Sequence, residues 1–179
     1  MNGRILITLI IKRTVPTVLG GLAVLGGGKL FNEHCYSYQA CSGPSMYPNI
    51  NYRGQWLLIS KFHKHGKGLN VGDLVVFKSP LFRGRTSTKR VLGMPGDFVL
   101  KDAPSPGDDG KGCEDAEMIR VPEGHIWVIG DNLPWSRDSR LHGPIPLGLV
   151  VGKVIALGKT YSFPRWARNT LEPAKFSDD

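Results

Sequence analysis

Cysteine is scarce: Cys35, Cys41 and Cys113 are the three in 179 residues. An odd count at irregular spacing excludes a disulfide framework and leaves open one bridge with a free thiol or three free thiols. No spacing of histidine and cysteine matches a zinc pattern, so His63 and His65 raise no metal expectation, and no cofactor is expected. The histidines, His34, His63, His65, His125 and His142, sit in no nucleophile-partner motif, which sets aside a His-based triad. Clustered charge is lacking too. The formal net charge is +8, but Lys and Arg are spread along the chain rather than gathered with aromatics, so no nucleic-acid partner is expected. A net positive chain fits better beside an anionic membrane surface. Internal repeats are absent, and the length allows one domain and little more.

What the chain does have is punctuation. Gly (23) and Pro (13) are abundant between short apolar runs, which points to a β-rich fold with many turns. Strands are expected at 55–60, 73–78, 86–92, 98–101, 117–121, 125–130 and 149–157, at the close spacing of a barrel or folded sheet. Met94-Pro-Gly-Asp97 suits a type II turn, with Pro and Gly at its centre. Loops are expected at 63–68 and 103–112, and the tail from Pro164 shows no period. Before the strands, two apolar stretches flank Lys12 and Arg13, and the second runs from Thr14 to Leu30 or Phe31. Its length is near the lower limit of a bilayer span, about 17 residues. A cleaved signal peptide, a buried core helix and an uncleaved membrane anchor compete for it. The anchor is the reading taken forward, with the amino terminus on the positive-inside face. The expected organisation is an anchor at 1–36, a catalytic domain at 37–163 and a tail at 164–179.

Three clusters hold residues suited to chemistry. In Ser42-Gly-Pro-Ser-Met-Tyr-Pro-Asn49, Gly43, Pro44 and Pro48 make a rigid non-helical turn around Ser45. Such a turn can present a hydroxyl beside its own backbone N–H, as acyl transfer requires. It is not the Gly-x-Ser-x-Gly elbow, since residue 47 is Tyr. In the second cluster, strand alternation puts Ser87, Lys89 and Val91 on one face and Thr88, Arg90 and Leu92 on the other. A lysine on an inner face loses hydration, its pKa falls, and it becomes available as a base. The third cluster, Gly130 to Arg140, follows an apolar strand, and Arg137, Asp138 and Arg140 are placed to form an ion-pair network. Taken singly, each cluster also reads as a surface turn, an exposed strand lysine or a solvated loop.

Together, Ser45-Met-x-Pro48, Gly72-Asp-Leu-Val-Val-Phe77, Lys89-Arg-Val-x-Gly-x-Pro-Gly-Asp97 and Gly130-Asp-Asn…Ser136-x-Asp-Ser-Arg140-x-x-Gly-Pro-Ile-Pro146 resemble the type I signal peptidase family in order and content, over roughly residues 41–158. The resemblance implies a mainly β fold: a signal-peptidase-like folded sheet or barrel carrying one N-terminal transmembrane helix. It implies Ser45 as nucleophile and Lys89 as general base. Ser136 would hydrogen-bond the lysine, Asp138 and Arg140 would support the site, and Met46 would shield it and touch substrate. The short length and single anchor look most like the mitochondrial inner-membrane branch. That branch implies a domain facing the intermembrane space, sorting-peptide precursors as substrates and a second, related catalytic subunit as partner. One position departs from the bacterial pattern. Gly43 stands two residues before the nucleophile, where a hydroxyl often donates to the oxyanion. Ser42 or a backbone N–H is left for that part. A non-catalytic membrane subunit keeping the fold, and a self-cleaving Ser-Lys repressor, are the rival readings. The repressor would need an amino-terminal DNA-binding helix pair, where residues 1–36 read instead as membrane-seeking.

Overall fold

A computed structural model describes residues 17–18, 20–21, 23–31, 33–101, 117–159, 162–169 and 171. The chain divides into two compact units, Met1–Tyr36 and Ser37–Asp179. The described residues of the first unit between 17 and 34 are helical and exposed. No helix among the described residues is long and apolar enough to cross a membrane. The expected transmembrane helix is therefore not found there. Gly20, Gly21 and Gly26–Gly28 dilute the apolar run, and Lys29 faces Glu33 at 4.0 Å. Residues 1–16 lie outside the described residues, as do the expected loop at 103–112, Cys113 and most of the tail. Cys35 and Cys41 are free thiols.

The second unit is mainly β. Its strands are β1 (Tyr36–Cys41), β2 (Gln55–Ser60), β3 (Leu74–Lys78), β4 (Thr86–Gly93), β5 (Phe98–Leu100), β6 (Met118–Arg120), β7 (His125–Ile129), β8 (Ile145–Pro146), β9 (Val150–Lys159) and β10 (Arg165–Trp166). The main sheet runs β1-β2-β9-β3-β4-β7-β8, with β10 added to β9, and β5 pairs with β6 separately. All seven expected strands are present, within two residues at each end. The Met94–Asp97 turn also forms: Asp97 N–H donates to Met94 O at 3.0 Å, and Gly96 has φ +90°.

β3 explains how the sheet buries both faces. Its run Leu-Val-Val-Phe is apolar at every position, which suits a strand covered on both sides. Leu74 and Val76 pack with Met46, Ile50, Leu57, Ile59, Val154 and Leu157. Val75 and Phe77 pack on the other side with Val91, Ile126, Val128 and Ile145. β4 borders β3 in antiparallel register, Lys89 opposite Val75 and Arg90 opposite Leu74. Both β4 side chains are thereby carried into covered surroundings on opposite faces. The expected loop at 63–68 follows a short 3-10 turn beginning at Lys61: Lys64 and His65 leave helical geometry, and Gly66 and Gly68 take φ +82° and +60°. Within the described part of the tail, Arg165 and Trp166 pair with Leu157 and Ala156, and Asn169 donates to Val71 O at 2.6 Å.

Candidate active site

Ser45 sits in a one-turn 3-10 segment, Pro44–Met46, directly after β1. Tyr47 N–H donates back to Pro44 O at 3.1 Å, and Ile50 N–H to Met46 O at 2.8 Å. Met46 and Ile50 are buried in the core and pin the turn from beneath. Met46 also lines a cavity of about 130 Å³ shared with Ser45, Cys41, Thr88 and Lys89. Gly43 enters the turn at φ +118°, a conformation that side-chain-bearing residues rarely adopt. A hydroxyl residue at 43 would be strained here, which gives the departure from the bacterial pattern a backbone cause.

Lys89 is 4% exposed, and its Nζ lies 2.6 Å from Ser45 Oγ. Burial strips the ammonium of water and lowers the Lys89 pKa to about 8, against upward pulls from Asp138, Cys41 and Asp131. The same burial raises the Cys41 thiol, with Lys89 opposing it. The two groups whose sequence positions are 44 apart thus form one hydrogen-bonded pair at the end of a strand-lined cleft.

The loop after β7 grips the Ser45 turn from behind. Asn132 donates twice, from its N–H to Ser45 O at 3.0 Å and from Nδ2 to Pro44 O at 3.1 Å. Its neighbour Asp131 accepts from Asn49 Nδ2 at 2.8 Å and takes a two-pronged ion pair from Arg90, both contacts at 2.8 Å. Arg90 Nη1 also donates to Gly72 O at 2.9 Å. Asn49, Arg90, Asp131 and Asn132 were not singled out as site residues from the sequence. The density of polar side chains right after an apolar strand was the available signal.

Asp138 is fully buried and caps the helix Ser139–His142, accepting from Arg140 N–H at 3.3 Å. It also accepts from Gly130 N–H at 3.0 Å and from Arg140 Nε at 2.9 Å. Burial works against its carboxylate, but hydrogen bonds from Arg140 and Gly130 outweigh it and hold the pKa below the ordinary value. Arg140 bridges onward to Leu133 O at 2.8 Å. Arg137 does not join this network and lies over the Phe82 ring at 5.8 Å. Ser136 is brought into the site, yet its expected bond to Lys89 is not formed. Its Oγ is close enough to Asp138 to favour the charged carboxylate, but it is buried with no partner in hydrogen-bonding geometry.

Gly130 is where these parts meet. A Cβ there would come within 2.1 Å of Ser136 Oγ and 2.5 Å of Ser45 O. Gly130→Ala must therefore push the loop off the Ser45 turn. Misplacing a reacting group by about 1 Å can lower turnover by roughly 10²-fold. That loss is the expected result for this variant, read as kcat in a peptide-cleavage assay on folded protein.

A family model described as signal peptidase, peptidase S26, matches residues 30–105 and 100–157. The mitochondrial inner membrane protease subunit 1 of Schizosaccharomyces pombe is 38% identical over 141 residues, 78% of this chain and 83% of that one. The human subunit 1 is 38% identical over 139 residues, 78% and 79%. Subunit 2 from Saccharomyces cerevisiae is 36% identical over 132 residues, 70% of each chain. Among solved structures, a signal peptidase I from Enterococcus faecalis aligns with TM-score 0.38 and 26% identity, over 49% of this chain and 97% of that one.

Proposed function

The chain belongs to the signal peptidase family, peptidase S26, most like the mitochondrial inner membrane protease subunit 1, and on that premise we propose that it is a membrane-bound serine endopeptidase working through a Ser45–Lys89 dyad. The observation that carries this is the 2.6 Å contact between Lys89 Nζ and Ser45 Oγ in a cleft where the lysine is 4% exposed. Neutral Lys89 takes the hydroxyl proton as Ser45 Oγ attacks the scissile carbonyl. The lysine then protonates the leaving amine and later activates the water that frees the acyl-enzyme. The Ser45 N–H supplies part of the oxyanion hole, the turn being held by Asn132. Asp138 and Arg140 fix the loop that carries Asn132, and Met46 closes the floor of the cleft. The edges of β1 and β4 border the cleft, so an extended precursor segment can add to them as a strand.

Its substrates, on this reading, are precursors reaching the mitochondrial inner membrane or intermembrane space. Removal of their sorting peptides takes place on the intermembrane-space side. The relatives named as inner membrane protease subunits support the location, and the likeness to a subunit 2 supports a second, related catalytic subunit as partner.

The pH profile tests the base. The active form needs Lys89 neutral, so kcat/KM should rise with pH through a limb near 8 and then level. An exposed lysine would place that limb near about 10.4. A profile with no limb between pH 7 and 9, or one unchanged in Lys89→Met, would falsify the assignment. Ser45→Ala, expected to assemble in the membrane without cutting, separates catalysis from a purely structural role.

A further inference from the structure

A second, larger cavity of about 590 Å³ lies against the nucleophile turn and shares Ser42 and Gly43 with the smaller one. The two are therefore separated only by the segment that leads into Ser45. The smaller cavity holds Ser45, Lys89 and the edge of β4, along which the Ser45–Lys89 reading lays the residues on the amino side of the scissile bond. Nothing in the dyad mechanism uses the larger one.

Three aromatic residues in its walls are uncovered, Tyr47 at 49% exposed, Tyr52 at 56% and Trp135 at 72%, and Arg53 and Asn132 complete the lining beside the Ser42–Pro44 segment. The backbones that carry Tyr52 and Trp135 are tied to the Ser45 turn. Gly43 N–H donates to Tyr52 O at 3.2 Å, which ties the Tyr52 loop to the nucleophile turn. Trp135 ends the 3-10 turn Leu133–Trp135, and its N–H donates to Asn132 O at 3.1 Å. Asn132 in turn holds the carbonyls of Pro44 and Ser45. Both sides of the cavity are thus fixed in register with Ser45 by backbone hydrogen bonds, as a subsite must be and a general greasy surface need not be.

We infer that this cavity receives the first residues on the carboxyl side of the scissile bond and selects a large apolar or aromatic side chain among them. The inference rests on the Ser45–Lys89 reading above. A peptide bonded at Ser45 and extended at about 3.3 Å per residue leaves the small cavity within one or two residues, and the shared Ser42–Gly43 boundary leads it into the larger one. The volume suits a subsite, since ligand pockets run at about 300–1,000 Å³. Ring faces of Tyr and Trp favour another aromatic or a bulky aliphatic group over a small polar one.

The test uses the full chain in its membrane complex and a set of matched precursors. In these, Phe or Gly occupies each of the first three positions after the cut, all else constant. The readout is the Phe/Gly ratio of kcat/KM, which does not depend on how much enzyme folds. Wild type should favour Phe at one of these positions by roughly 10-fold or more, the range of a hydrophobic pocket. Trp135→Ala and Tyr52→Ala should bring the ratio toward one, and Trp135→Phe should restore most of it. A flat ratio in wild type, or an undiminished ratio in both alanine variants, overturns the inference. So does loss of vesicle retention in those variants with the ratio intact, which would make the cavity a lipid site. Failure of the dyad reading looks different: Ser45→Ala would then still cut the all-glycine precursor.

Discussion

Lys89→Met should abolish peptidase activity while leaving the fold intact or firmer. Met matches the length and volume of the lysine stem. It also removes the amine of a residue that is 4% exposed and lines the cavity between β1 and β4. Burying an amine is unfavourable, so the variant's thermal stability should equal or exceed that of wild type. Catalysis has no such substitute. Loss of a base acting on a serine nucleophile lowers kcat by roughly 10³–10⁶-fold. Lys89→Arg should be equally inactive, because the guanidinium stays protonated at any pH the enzyme survives. Single-turnover cleavage of a precursor, with Tm measured on the same samples, checks both halves. Activity in either variant within about tenfold of wild type would move the base to another residue.

Asp138→Ala should fail for the opposite reason, by loosening the fold around an unaltered dyad. The carboxylate is fully buried and accepts from Gly130 N–H, Arg140 N–H and the Arg140 guanidinium. Removing one partner of a buried pair costs about 3–5 kcal/mol, or roughly 10 °C or more in Tm for a domain of this size. Arg140 would keep only its bond to Leu133 O, and Gly130 would lose the acceptor that sets its loop behind Ser45. The acid dependence gives the sign. A carboxyl held below its ordinary pKa stabilises fully above about pH 4 and loses that contribution as pH falls through its folded value. The Tm gap between wild type and variant should be widest near pH 7 and narrow toward pH 3. A gap that does not change with pH would show that lost packing, not the charge, is responsible.

The elements differ in how plainly the amino-acid sequence announces them. β2, β3 and β4 are legible because alternation or an unbroken apolar run leaves few other readings. The Ser45 turn and Lys89 stand out through Pro, Gly and strand position, and the fold places them together. β1 and β10 were not legible. β1 alternates weakly and begins in a segment that reads as membrane-seeking, while β10 is two exposed residues whose only strand signal is a partner elsewhere. The clamp residues were hidden for a related reason. Asn49 and Asp131 are 82 positions apart, and Asn132 and Pro44 are 88. A polar side chain that satisfies a distant backbone carbonyl carries no periodicity. Ser136 marks a limit of pattern matching: its position is suited to the site, but no lysine bond follows from it.

β9 adds a matter of timing. It is ten residues long and stands between β2 and β3, although roughly ninety residues of chain separate it from the first of them. Until Val150–Lys159 has arrived, β2 has no neighbour on that side and β3 no support behind the strand that carries Lys89. Pairings so distant along a chain close late, after shorter loops have formed. A chain stalled or cut before residue 150 already contains Ser45, Lys89, Asp138 and Arg140, yet lacks the strand that holds their scaffold together. The pairing of β2 and β3 with β9 thus comes after every proposed site residue has been synthesised.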